Sequence, residues 1–264
     1  MRLVTIPKLR SPELHNYRDL IVALPPSYDS TDRTYPTVYM HDGQNLFDPD
    51  TSYAGAWGLG PVLDELSDHG MEAIVVGIAN TRGFRLFEYS PFRDAEQGGG
   101  EGDAYLEFVT ERVRPLIEER FRTARDPGRT VIAGSSMGGL ISLYALFRRP
   151  DVFGAAGAFS PSSWFAKDAL LESVTPPADG ARAYLDVGAA EPPRMLESVR
   201  RLRDRLRERG WDEGALRYRE DPDGIHHESA WGLRFREALP FLLARPSPPG
   251  PGSVARDRPD GIDA

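Results

Sequence analysis

Ser136 stands in Gly134-Ser135-Ser136-Met137-Gly138-Gly139, with a glycine two residues before it and another two residues after. That spacing marks a nucleophile elbow, a serine on a sharp strand-to-helix turn whose close backbone approach leaves no room for flanking side chains. The chemistry of such a serine is acyl transfer. Its hydroxyl attacks a carbonyl once an imidazole takes the proton, and a third group fixes the tautomer of that imidazole. The order along the chain in this fold class is serine, acid, histidine. Of the five histidines, His15, His41 and His69 precede Ser136, which leaves His226 and His227 in a turn-rich stretch ending at Trp231. Adjacent residues point different ways, so one of the two serves as base and the other flanks it. The acid is expected just past the apolar run 183–187, where Asp186 and Glu191 qualify. Asp186 lies inside the run and could face either way, whereas the turn Gly188-Ala189-Ala190 lifts Glu191 toward the histidines, so Glu191 is preferred.

Negative charge developing on the substrate oxygen needs backbone N–H donors, one from the residue after the nucleophile and one from an early strand-to-helix loop. Met137 supplies the first. The loop His41-Asp42-Gly43-Gln44-Asn45 supplies the second, with Gln44 the best candidate and with His41 and Asp42 shaping the turn. Trp57 and Trp164 lie in or beside loops where an aromatic face could hold an acyl or aryl group. Arg85 could meet an anionic substrate, or form an ion pair with Glu88 or another carboxylate that fixes its loop. The chemistry calls for no metal and no organic cofactor. With no cysteine in the chain, there is no disulfide framework, thiolate site or thiol nucleophile.

These groups must be positioned by something, and the chain reads as an α/β protein. Strand-length apolar runs recur at 20–24, 37–40, 73–78, 130–133, 155–159, 183–187 and 216–219. Helical patterns alternate with them: 140–148 follows the elbow, and 105–121 and 195–209 carry apolar residues at helical spacing. Alternation of this kind predicts a mostly parallel, doubly wound sheet with helices on both faces. Two irregular stretches, 44–60 and 80–102, belong over the carboxyl ends of the strands, where ligands bind in open α/β sheets. The second contains Gly98-Gly99-Gly100, suited to a mobile loop. One domain is expected over 1–244. Residues 245–264, rich in proline, glycine, arginine and aspartate, read as a disordered tail.

A formal charge of −8 over 264 residues argues against nucleic-acid or anionic-membrane partners. The arginines at 200, 201, 203, 205 and 207 are interleaved with Glu197, Asp204 and Glu208 and read as a solvated helix face. No stretch approaches the roughly 18 apolar residues of a membrane span. Charge and proline interrupt the first eight residues before any signal-like run forms, so a cytoplasmic protein acting on a small-molecule ester is expected; oligomeric state is left open.

Six ordered pieces resemble the esterases of the enterochelin esterase and esterase D type within the α/β-hydrolases. They are Leu24-Pro25-Pro26-Ser27-Tyr28; His41-Asp42-Gly43-Gln44-Asn45-Leu46-Phe47; Arg85 with Glu88-Tyr89-Ser90-Pro91; the elbow; Tyr184-Leu185-Asp186-Val187-Gly188 with Glu191; and His226 with Glu228 and Trp231. The resemblance implies the α/β-hydrolase fold and a serine carboxylic ester hydrolase. It selects His226, because the family carries glutamate two residues and tryptophan five residues after its histidine, and Glu191, because the family's acid ends a Gly-x-x-acid turn. Related mycolyltransferases and feruloyl esterases imply oxyanion donors at Gln44 and Met137. The same acyl-enzyme intercepted by an alcohol would give acyl transfer, and the fold without a working serine would be a binding module.

Overall fold

The computed structural model describes residues 1–244; the tail expected at 245–264 lies outside the described residues. Consecutive residues of a strand point to opposite faces, and here both faces are apolar. Val75, Val131 and Tyr184 enter one buried cluster, while their neighbours Val76, Ile132 and Leu185 enter another. Strands buried on both sides need helices on both sides, which is the logic of a parallel α/β sheet.

The strands are β1 (Arg2–Ser11), β2 (Asn16–Leu24), β3 (Thr37–His41), β4 (Ile74–Ile78), β5 (Arg93–Asp94), β6 (Gly98–Gly99), β7 (Thr130–Ser135), β8 (Ala155–Phe159), β9 (Arg182–Gly188) and β10 (Leu216–Asp221). The helices are α1 (Leu59–Asp68), α2 (Arg85–Glu88), α3 (Gly102–Phe108), α4 (Arg114–Arg120), α5 (Met137–Arg148), α6 (Phe165–Asp168), α7 (Pro193–Glu208) and α8 (Glu228–Leu242). The main sheet runs β1-β2-β4-β3-β7-β8-β9-β10. It is parallel from β4 through β10, with β2 and β1 added antiparallel at one edge. Helices α1 and α8 cover one face, and α3, α4, α5 and α7 contribute buried residues to the other. This is the expected mostly parallel α/β sheet with two covered faces.

Three details differ from expectation for physical reasons. Strand β1 gave no strand signal, because Pro7 interrupts it and most of its residues are exposed. It is an edge strand with a register shift between Ile6 and Leu9, where a proline is tolerated. The helix expected at 105–121 is α3 and α4 joined by a π-helical turn, Val109–Val113. Pro115 lacks the N–H that would close the previous turn, which accounts for the interruption. The glycine run at 98–100 is a packed hairpin, β5 with β6, rather than an open loop. Gly98, Gly99 and Gly100 all take positive φ, and a Cβ on Gly98 would meet the Phe87 ring.

Because β3, β7, β9 and β10 run parallel, their carboxyl ends lie at one edge of the sheet. The segments leaving them carry Asp42 to Asn45, Ser136, Glu191 and His226 respectively. Among the described residues no helix is long and apolar enough to cross a membrane.

Candidate active site

Strand β7 is buried along its whole length and delivers Ser136 at φ 57°, ψ −121°. A non-glycine residue in so sparsely populated a conformation costs about 1–3 kcal/mol and persists only where its surroundings fix it. They do so here: the Ser136 N–H donates to Phe159 O (2.9 Å), and Ser136 O accepts from the N–H groups of Gly139 (3.1 Å), Leu140 (3.1 Å) and Ser162 (2.9 Å). A Cβ on Gly134 would lie 2.9 Å from both Gly138 C and His41 Cδ2. The elbow glycines are therefore set by close approach of the β3 loop as well as by the turn itself. The Ser136 hydroxyl pairs with Ser162 Oγ at 3.1 Å, and no hydrogen bond joins it to His226 in this conformation.

The loop after β3 is held from outside. Asp42 takes a left-handed conformation (φ 57°, ψ 45°) and is gripped by Arg85, Nε to Oδ1 and Nη2 to Oδ2, each at 2.8 Å. Asn80 Nδ2 adds a third donor at 2.6 Å. Burial alone would raise the Asp42 carboxyl; Arg85 and Asn80 outweigh it and hold its pKa below the usual range. Gln44 follows in a 3-10 turn, and its side-chain Oε1 accepts from the Asn80 N–H at 3.1 Å. The backbone N–H groups of Gln44 and Met137 have no hydrogen-bond partner among the described residues. Both are early amides of helical turns, the kind of donor an anion attracts. His41 is buried, with Nδ1 on the Tyr105 hydroxyl at 2.8 Å, and burial pushes its pKa down to about 3, so the ring is neutral.

Past β9, Glu191 is 5% exposed and its Oε2 lies 2.7 Å from His226 Nδ1. The imidazole itself is 31% exposed. Burial raises the Glu191 carboxyl, but hydrogen bonds from His226, Ser160 and Gly188 outweigh it and keep the group below its ordinary pKa. Asp186 turns elsewhere: its Oδ1 accepts from the Ser160 N–H (3.0 Å) and pairs with Arg234 Nη1 (3.1 Å). His227 caps α8, its Nδ1 accepting from the Ser229 N–H at 3.2 Å. Asn45 Nδ2 reaches Glu228 Oε1 at 3.3 Å, tying the β3 loop to the histidine loop.

The three residues considered for substrate contact are placed as follows. Trp57 is 4% exposed and packs edge-on against Phe159 and Phe235 and beside Trp231, so it is a core residue and not a wall of the cleft. Arg85 is committed to Asp42, while Glu88, the partner first considered for it, is buried on Arg18 at 2.9 Å. Trp164 is partly buried beneath the Arg194 guanidinium, 4.3 Å from the ring centroid. Sequence reading passed over Ser160, Ser162 and Arg234. The available signals were the serines following β8 and an arginine one helical turn beyond Trp231.

Residues 11–242 match the family model described as "Putative esterase". The chain is 29% identical over 242 residues to the uncharacterized protein YbbA of Bacillus subtilis, covering 86% of this chain and 93% of that protein. It is 34% identical over 146 residues to the siderophore triacetylfusarinine C esterase of Aspergillus fumigatus, 52% of this chain and 47% of that protein, so the match spans about half the length of that relative. In fold it is similar to the enterobactin esterase FES of Shigella flexneri, crystallised in the presence of enterobactin, with a TM-score of 0.74 at 24% identity over 92% of this chain and 58% of that one.

Proposed function

The chain belongs to the Esterase family, and from that premise we propose a carboxylic ester hydrolase working through an acyl-enzyme on Ser136. A carboxylate can only accept, so His226 Nδ1–H donates to Glu191 and Nε2 carries the lone pair. For reaction the Ser136 hydroxyl must exchange Ser162, its present partner at 3.1 Å, for that lone pair, a change of χ1 between staggered wells. Ser136 Oγ then attacks the ester carbonyl as His226 takes its proton, and Glu191 stabilises the imidazolium. The Gln44 and Met137 amides receive the oxyanion, each donor contributing about 10²–10³ in rate. His226 returns the proton to the leaving alcohol, and water repeats the sequence to release the acid.

The observation that carries this reading is the Glu191–His226 pair: a buried acid orients an imidazole that remains partly exposed. We take a small-molecule ester as substrate. Siderophore esters, after the Aspergillus relative's name, head a test panel with feruloyl, acetyl-sugar and aliphatic esters. The test is ester turnover by purified Ser136→Ala. A loss of at least about 10³-fold supports the assignment, and retained turnover contradicts it. Product analysis with added alcohols separates hydrolysis from acyl transfer.

A further inference from the structure

Glu191 is held by more than its histidine. Its Oε1 accepts hydrogen bonds from the Ser160 hydroxyl (2.5 Å) and the Gly188 N–H (2.9 Å). Ser160 Oγ lies 3.1 Å from Trp231 Nε1 and 3.1 Å from Arg234 Nη2. An indole N–H and a guanidinium only donate. Both therefore occupy lone pairs of the Ser160 oxygen, and its single proton is left one acceptor, Glu191 Oε1. The direction of that hydroxyl is dictated by its neighbours.

The backbone of Ser160 is constrained as firmly. It sits at φ 43°, a conformation in which a residue with a Cβ is strained. Its N–H donates to both the carboxylate (3.0 Å) and the backbone carbonyl (3.1 Å) of Asp186. Asp186 also pairs with Arg234, whose other terminal nitrogen is the one on Ser160. Ser160, Asp186, Glu191, Trp231 and Arg234 are all buried, none more than 5% exposed. In so dry a setting each donor's aim is worth more than it would be in water.

We propose that Ser160 is a positioning residue for the acid: it anchors Glu191 Oε1 so that Oε2 alone faces His226, with Trp231 and Arg234 aiming its proton and Asp186 fixing its backbone. This rests on Glu191 serving as the acid of the esterase. It explains why an aspartate that makes no bond to the histidine, and an arginine buried in α8, converge on one serine, the aspartate on its backbone N–H and the arginine on its hydroxyl.

The test uses Ser160→Ala and Ser160→Gly in the full chain. Glycine tolerates φ 43° without strain, so the pair separates loss of the hydroxyl from damage to the fold, which thermal unfolding also monitors. Each variant is assayed across pH with an ester the wild type hydrolyses and is labelled with a fluorophosphonate. Both variants are expected to lose about 10- to 100-fold in kcat, the rate equivalent of one hydrogen bond to a charged group, with KM within about twofold. The acidic limb of kcat/KM is expected to move to higher pH in both, because Glu191 stripped of a donor takes up protons more readily. Ser136 should still be labelled, more slowly. A folded variant with wild-type kcat and an unmoved limb overturns the proposal. So does a loss of activity that follows only the loss of folded protein. Failure of the underlying assignment looks different: the wild type itself hydrolyses no ester or gains no label.

Discussion

Glu191 Oε2 and His226 Nδ1 lie 2.7 Å apart, while Glu191 Oε1 is occupied by donors from Ser160 and Gly188. The two oxygens are therefore not interchangeable. In Glu191→Gln the amide oxygen must take the Oε1 place to satisfy those donors, and the NH2 then faces His226. The imidazole would respond by holding its proton on Nε2, the tautomer that cannot accept from serine. We expect kcat to fall by about 10³–10⁴, as for the same acid-to-amide change in a serine protease triad. Steady-state kinetics on purified protein, with circular dichroism as a control for folding, checks this.

Asp186 offers the matching control. Burial pushes its carboxyl up to about 7 in spite of Arg234. Asp186→Asn keeps an oxygen for the Ser160 N–H, so the Ser160 hydroxyl stays on Glu191 and kcat should fall by no more than about tenfold, the rate equivalent of a weakened hydrogen bond. The stability signature has a definite sign. A carboxyl whose folded pKa is raised from its ordinary 3.8 to about 7 binds more protons folded than unfolded in that window, so its contribution is lost as pH rises. Thermal unfolding should show Asp186→Asn gaining on the wild type between about pH 4 and about pH 7. If Asp186→Asn were the inactive variant and Glu191→Gln the active one, the two carboxylates would have to exchange roles.

In the proposed mechanism Arg85 acts through Asp42. Its two-pronged grip holds a left-handed residue two positions before Gln44. Lysine offers a point charge and no fork. Arg85→Lys is expected to lower kcat by about 10- to 100-fold with little change in KM, since the oxyanion donor is needed most in the transition state. The Asp42 carboxyl is depressed in the folded state, so its contribution to stability is present above its ordinary 3.8 and lost as pH falls through the depressed value. Arg85→Lys should weaken the protein at neutral pH and flatten the acid side of its stability profile.

The acid turn and the histidine loop meet backbone to backbone at Gly188 and Gly224. A Cβ on Gly188 would run into the Gly224 carbonyl, and a Cβ on Gly224 would lie 2.8 Å from Gly188 Cα. Gly188→Ala must push the two segments apart, and with them Glu191 and His226. A displacement of about 1 Å at a catalytic group costs on the order of 10²-fold in rate, so at least that loss is expected. Gly83→Ala, where an added Cβ meets nothing within 4 Å, should leave activity unchanged in the same assay.

What could be read from the residues depended on whether a single local pattern carried the information. The elbow is local: strand, glycines, serine and helix occur in one run, and the structure bends there as the spacing requires. The alternation of apolar runs with helical patterns likewise foretold the covered parallel sheet. Strand β1 was illegible because its alternation is short, Val4 and Ile6 turning inward before Pro7 and a register shift break the pattern. Trp57 was left open because a tryptophan in a loop looks the same whether that loop lines a cleft or folds back on α8. Ser160 and Arg234 were missed for a related reason. Their meaning comes from the approach of β8, β9 and α8, and nothing in Ser-Pro-Ser-Ser separates such a hydroxyl from an ordinary turn.

The proposed acyl-enzyme requires that Ser136 Oγ be the atom that becomes acylated. The most direct measurement is reaction of the wild type with a fluorophosphonate, followed by intact-mass determination and mapping of the modified peptide. One adduct per chain on Ser136, absent from Ser136→Ala, is the predicted result. An adduct on any other residue, or no adduct on a preparation that turns over esters, would contradict it.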